Sequence, residues 1–371
     1  MALQSYQVSY RVGTGAYTVL SNVQNIQVTI GRESQLDQIK TSTGSFLMRY
    51  PTGYASPITD LVPGTQIKII NTTNSGLTVF TGYISDVSAE YGIPYVSNEG
   101  QADYLLVNFE GAFAAAGRMQ GNNYAMAADS ISAQCINCKN QTGLQVSFSS
   151  PGNTLGATTV NGTWADWLAR VCQSTNSRLR ENADQIVINS PFVIDVSTIN
   201  FSDVANDSTN QVYNQINFDS LADNFYTQVT VTPESFGAAT VTKSGATAPF
   251  RTYSTNTLNA STSQATDYAN FLLGTYGTAQ FAISSFTCSA ESQAVMRLEN
   301  VGGGTLPFVP GTQTNITFRG TTYVCIIEGV TMSATPAGAS YTFFVSGADL
   351  NAYLILDNAI FGKLDSNRLG Y

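Results

Sequence analysis

A duplicated turn-and-strand pattern constrains this chain more than any other feature. Val62-Pro63-Gly64-Thr65-Gln66 returns 247 residues later as Val309-Pro310-Gly311-Thr312-Gln313. Eighteen residues after Gly64 stands Gly82, in VFTGYISDVS, and eighteen after Gly311 stands Gly329, in CIIEGVTMSA. Each copy then runs into an aromatic strand, Tyr104-Leu105-Leu106-Val107 in the first and Tyr341-Thr342-Phe343-Phe344 in the second. The physics is shared. Pro fixes φ and Gly accepts positive φ, so Pro-Gly makes a tight turn. A strand leaves the turn and hairpins back, and the returning strand meets a glycine at a bulge or a close backbone approach. Pro63, Gly64, Gly82, Pro310, Gly311 and Gly329 are therefore the candidate shape-determining residues. A chain carrying one β unit twice presents two nearly equivalent surfaces, so three such chains can mimic a ring of six.

The flanking sequence fits this reading. Residues 1–111 alternate apolar and polar side chains (Tyr6, Val8, Tyr10, Val12; Ile26, Val28, Ile30), with Gly/Pro/Asn turns between the runs. They read as a first β-domain, a sandwich or barrel, with a strand from the outset where a Sec signal would otherwise stand. Residues 112–205 change character. AFAAAGRMQ and NYAMAADSISAQCI read as short helices, and the clearest helix starts at Thr163, with Asp166 three residues on as a capping box. Trp164, Trp167, Leu168 and Val171 share one face of it, which predicts packing on a small sheet that includes DQIVINS. Residues 206–348 return to β. One helix interrupts them, with Ala265, Tyr268, Ala269 and Leu272 on one face. The Ser/Thr/Ala/Gly-rich stretch 234–263 reads as a long surface loop, and 349–371 as a C-terminal tail. The expected fold is mainly β: two β-sandwich or barrel domains related by the repeat, plus a small mixed α/β domain.

Composition removes whole classes of function. The chain has no histidine, which excludes Ser/His/Asp and Cys/His catalysis and imidazole metal sites. Charged residues are 11% of 371, less than half the usual share, and net charge is -9. A sequence-independent nucleic-acid binder needs the opposite sign. No apolar run is long enough to span a bilayer. Five cysteines without a secretory signal do not read as a disulfide framework. Cys135 and Cys138 form a CxxC, but the other thiols are scattered, so the pair reads as small buried hydrophobes. No P-loop or dinucleotide-binding glycine pattern is present, and the GGG at 302–304 reads as a loop. Glycan hydrolysis needs paired carboxylates. Glu110, Glu181 and Asp184 are available, each reading as a solvated or capping acid. No enzyme activity and no cofactor is expected.

Three segments carry a family resemblance. The opening unit runs IQVTIGR–FLMRYPTG–PGTQIKI–LTVFTGYISDV. The second unit pairs the helix ATDYANFLLGTYG with VPGTQTNITFRGTTYVCIIEGVTMSATP. The C-terminus, LILDNAIFGKLDSNRLGY, is similar to a recurrent ending of the form LD-x-x-x-x-G-x-LD-x-x-x-L, carried here by Leu356, Asp357, Gly362, Leu364, Asp365 and Leu369. Asn358 departs from it, where the family often has a second Asp. In these places the chain resembles the tail-tip hub, or minor tail, proteins of long-tailed bacteriophages. The resemblance implies two tail-tube-like domains and a homotrimer at the end of the tail tube, adapting sixfold to threefold symmetry. It also implies a virion tail-tip location after assembly in the host cytoplasm. The implied partners are a tube or distal tail ring, the tape measure protein, and receptor-binding or fibre proteins, with DNA only in transit. Other readings remain open: a glycan-binding adhesin using Tyr50, Tyr54 and Tyr91, a single-ring tube or distal-tail protein, and a wall hydrolase.

Overall fold

A computed structural model describes residues 6–51, 60–72, 77–90, 102–148, 154–182, 185–189, 200–204, 210–219, 225–278, 282–290 and 310–347. Seven strands come first: β1 (Tyr6–Arg11), β2 (Thr18–Val19), β3 (Val23–Gly31), β4 (Thr43–Pro51), β5 (Gln66–Asn71), β6 (Leu77–Glu90) and β7 (Ala102–Glu110). A mixed region follows with α1 (Ala112–Arg118), β8 (Tyr124–Met126), β9 (Asp129–Ser130), α2 (Ile131–Thr142), β10 (Gln145–Phe148), β11 (Thr154–Leu155), β12 (Thr158–Val160), α3 (Trp164–Ser174), β13 (Arg178–Asn182) and β14 (Gln185–Asn189). Next come β15 (Asn200–Ser202), β16 (Asn210–Val212) and β17 (Gln215–Asp219). Then follow β18 (Gln228–Pro233), β19 (Ala239–Thr242), β20 (Thr252–Thr257) and α4 (Thr262–Tyr276). The described chain closes with β21 (Ala282–Ala290), β22 (Gln313–Phe318), β23 (Thr321–Thr335) and β24 (Gly338–Gly347). It is mainly β, the class the sequence predicts.

The duplication is visible in the hydrogen bonds. The first unit orders its antiparallel strands β5-β6-β7-β4-β3, and the second orders them β22-β23-β24-β21-β17. The Gly64 N–H donates to the Ile84 carbonyl at 2.8 Å, and the Ile84 N–H donates to Thr65 at 2.8 Å. Gly311, Ile327 and Thr312 make the same two bonds at 2.7 and 2.9 Å. One residue further on, both returning strands carry a β-bulge, between Ile84 and Asp86 in one and Ile327 and Gly329 in the other. Ser85 and Glu328 are thus equivalent bulge residues. In the next strands, Ser45 opposes Asn108 and Ser285 opposes Phe344, so the neighbouring Phe46 and Phe286 are equivalent as well. Both phenylalanines are fully buried.

This equivalence corrects the ungapped spacing. The turns are 247 residues apart, but Ile84 and Ile327 are 243 apart. Five residues, 72–76, join β5 to β6, and Val79 is bulged out opposite Ile69 and Ile70. Only Arg319 and Gly320 join β22 to β23, both at positive φ, in a tight two-residue hairpin turn. Gly82 and Gly329 are therefore not structural counterparts: Gly329 corresponds to Asp86.

Both units share one 14-stranded sheet, because β3 of the first pairs antiparallel with residues 329–334 of β23 in the second. Their inner faces form one apolar cluster that includes Phe46, Phe109, Phe201, Phe286 and Phe343. The mixed region has its own core. There Trp164, Trp167, Leu168 and Val171 of α3 pack with Ile186 and Ile188 of the sheet β10-β14-β13, as the apolar stripe predicts. Both halves of the Thr163–Asp166 capping box form. Tyr124–Met126 is strand, however, where the Ala/Met-rich run suggested helix.

A third core is formed by α4 packed on the sheet β19-β18-β20, through Val229, Val231, Ala265, Ala269 and Leu272. This corrects the reading of 234–263 as surface loop. Strand β19 alternates over only four residues, Ala239–Thr242, and β20 buries Thr255 and Thr257 where an apolar residue would mark a strand, so the pattern is weak. The unit is inserted between β17 and β21, where the first copy has only the connection 32–42 from β3 to β4.

Candidate functional site

The two Pro-Gly turns have different surroundings. Among the described residues nothing lies within 4 Å of a Cβ placed on Gly64, whereas a Cβ on Gly311 would lie 3.0 Å from the Arg178 side chain. The Pro310 carbonyl accepts a hydrogen bond from Arg180 Nε at 3.2 Å. Strand β13 of the mixed region therefore sits on the second turn, and no described strand takes the matching place on the first. Gly31 and Gly329 oppose each other where β3 meets β23. A Cβ on Gly329 would lie 2.5 Å from the Arg32 carbonyl oxygen, so this junction demands backbone-to-backbone contact. Gly82 is hemmed in by the Glu110 carbonyl and the Phe80 ring.

The bulge in β23 turns Glu328 into the interior, fully buried. Arg178 Nη2 and Nε donate to its Oε1 at 2.6 and 3.2 Å, and Ser346 Oγ donates to the same oxygen at 2.6 Å. Arg32 Nε donates to Oε2 at 3.1 Å. Burial alone would raise the pKa of this carboxyl. The two guanidinium charges and the hydrogen bonds from Arg178 and Ser346 outweigh it and hold the value at about 2. One carboxylate thus ties together the first β unit through Arg32, the mixed region through Arg178 and the second β unit. Sequence reasoning missed this triad. The available signal was a lone acid in the apolar run YVCIIEGV, directly before a bulge glycine.

The two described candidate acids, Glu181 and Glu110, each have structural partners. Glu181 is partly buried and accepts from the Ser42 N–H at 2.6 Å and the Phe113 N–H at 2.5 Å, capping the start of α1. Burial pushes its pKa up, against the pull of those hydrogen bonds. Glu110 instead pairs with Arg118. All five cysteines are free and buried, and burial raises the Cys135 and Cys138 thiols to about 12. Among the described residues no group of three or more His, Cys, Asp or Glu could hold a metal. Asp184, Tyr54, Tyr91, residues 302–304 and the C-terminal positions Leu356, Asp357, Gly362, Leu364, Asp365 and Leu369 lie outside the described residues.

Among the described strands, the two units differ in how two of their elements are paired. The half of β6 beyond its bulge, Asp86–Glu90, pairs with β7 alone, whereas the equivalent half of β23 pairs with both β24 and β3. Strand β17 pairs with β21 alone, whereas its equivalent β3 pairs with both β4 and β23. Ile216 and Phe218 of β17 are only partly buried, whereas the corresponding Ile26 and Val28 are fully covered.

No family model matches the chain, and no curated protein matches it. Solved structures do. A tail protein from Neisseria meningitidis aligns with TM-score 0.65 at 14% identity, over 93% of this chain and 97% of that one. The 43 kDa tail protein of prophage MuSo2 from Shewanella oneidensis aligns with TM-score 0.63 at 14% identity, over 92% and 98%. An Escherichia coli component of the type VI secretion system, described as structurally similar to the phage T4 tail proteins gp27 and gp5, aligns with TM-score 0.56 at 9% identity, over 92% and 77%. The chain therefore has the β-rich fold found in phage tail proteins and their secretion-system counterparts, and it shares that fold along nearly its whole length.

Proposed function

We propose that this chain is a structural component of a phage tail tip, a hub in which three copies set six tube-like units in a ring. The ring caps and continues the sixfold tail tube and hands it to a threefold tip. Its partners are the tube or distal tail ring above, the tape measure protein and then DNA passing through the centre, and receptor-binding or fibre proteins below. The role is mechanical, and no catalytic step is assigned to it.

One observation carries this reading: the two β units of a single chain repeat strand order, turn bonds and bulge position. Two quasi-equivalent units per chain suit a threefold object facing a sixfold one, whereas a single-ring tube protein needs only one. The fold likeness to tail proteins supports the same reading. The net charge of -9 agrees in sign with a channel that must not retain phosphate. Light scattering on the purified full chain tests it. A mass three times 39.6 kDa is expected. A hexamer would point to a tube or distal ring, and a mass that stays at one chain would count against the hub.

A further inference from the structure

The inserted unit meets the mixed region along a seam that does not close. Each side has its own apolar core, with Leu258 alone reaching across into the other. Hydrogen bonds join the rest. Arg170 Nη2 donates to Glu234 Oε2 at 2.5 Å, Gln173 Nε2 to Thr255 Oγ1 at 2.5 Å, and Ser235 Oγ to the Ala157 carbonyl at 2.8 Å. Arg170 and Gln173, a turn apart on α3, both line two cavities in this seam, of about 650 and 380 Å³. Both volumes lie in the range of small-molecule sites. The geometry points to a binding site here for a neutral, polyhydroxylated ligand, an oligosaccharide. This site is independent of the hub reading.

The lining chemistry selects the ligand class. The larger cavity is faced by Thr232, Ser254 and Asn256, and its two charged residues, Arg170 and Glu234, pair with each other. The side chains of Thr232, Ser254 and Asn256 make no hydrogen bond among the described residues. Val229 and Val231 pack against α4, so strand alternation turns Thr230 and Thr232 to the opposite face, where they stand beside Ser254 and Asn256 of β20. That face continues beyond the cavity in hydroxyls and amides, and none of its three strands carries a charged residue. The smaller cavity adds the Tyr253 and Tyr268 rings beside Gln35 and Asn176, and its charges balance, Arg32 and Arg170 against Asp37 and Asp166. Balanced charge favours neither an anion nor a cation. A hydroxyl and a primary amide each donate and accept, which suits a ligand whose own hydroxyls do the same. A tyrosine presents an apolar ring with a polar tip, which suits the C–H face of a sugar ring.

Saturation-transfer NMR on the purified full chain tests the site, with maltotetraose, cellotetraose, chitotetraose and the anionic tetragalacturonate as probes. Saturable binding of at least one neutral probe is expected, tighter than that of tetragalacturonate. Gln173→Ala removes a side chain that both cavities share, and Asn256→Ala removes one that is exposed and makes no hydrogen bond of its own. Each should weaken the binding about fivefold, the effect of one lost hydrogen bond. The thermal unfolding of Asn256→Ala should match that of the wild type, which separates lost binding from lost folding. No saturable signal from any neutral probe overturns the proposal. So does tighter binding of tetragalacturonate, or a neutral probe that binds both variants as it binds the wild type. None of these outcomes depends on the mass of the assembly, so failure here leaves the hub reading standing.

Discussion

Glu328 is the residue on which most of the architecture converges. Removing one partner of a buried, hydrogen-bonded ion pair typically costs about 3–5 kcal/mol, because the charge left behind cannot be rehydrated. Glu328→Gln leaves Arg178 and Arg32 facing a neutral amide, and thermal unfolding should show a loss of that order. The folded pKa of this carboxyl, about 2, lies below the ordinary glutamate value of roughly 4.3, so its contribution is fully present above that value. It is lost as pH falls through about 2. Denaturant titrations should therefore show wild-type stability declining from about pH 5 downward, with a shallower decline for Glu328→Gln over the same window. Equal slopes would remove the triad from the account. The thiols give a second residue-scale expectation. With Cys135 and Cys138 held at about 12, thiolate is scarce at pH 8. Maleimide should label no cysteine in the native chain and all five in denaturant. Rapid native labelling of either residue would contradict the burial.

At the scale of elements, the sequence showed what periodicity and turn chemistry can show. Helix α3 was legible because Thr163 and Asp166 make a capping box and the apolar stripe repeats at helical spacing. Thr163→Ala should cost about 1 kcal/mol by thermal denaturation, and no change would mean the cap is dispensable. Strands β19 and β20 were illegible because β19 is only four residues long and β20 places Thr255 and Thr257 at its inward positions. The repeat itself was legible in the Pro-Gly turns, while its register was not. Gly82 and Gly329 align only if the hairpin lengths match, and they do not. The true counterparts were visible in the bulges and in Phe46 and Phe286. Truncating either phenylalanine to Ala should cost a similar amount, about 3–5 kcal/mol, since both fill the same place in equivalent sheets. A large difference between the two would argue that the units have diverged in packing as well as in loops.

At the scale of the molecule, the chain is a duplicated β unit with two insertions. The mixed region lies between the copies and seats the second turn. The small sheet with α4 interrupts the second copy, where the first has only a short connection. This arrangement explains why the two Pro-Gly turns share their hydrogen bonds but not their neighbours. It also explains why composition excluded more than it identified. With no histidine and few charges, the composition rules out chemistries without naming one, and the informative features are the repeated strand order, turn bonds and bulges. Three-dimensional reconstruction of the purified assembly by electron microscopy tests the hub arrangement of two β units per chain. A threefold ring of six similar lobes, two from each chain, is the expected result. A true sixfold ring with one lobe from each chain would overturn it.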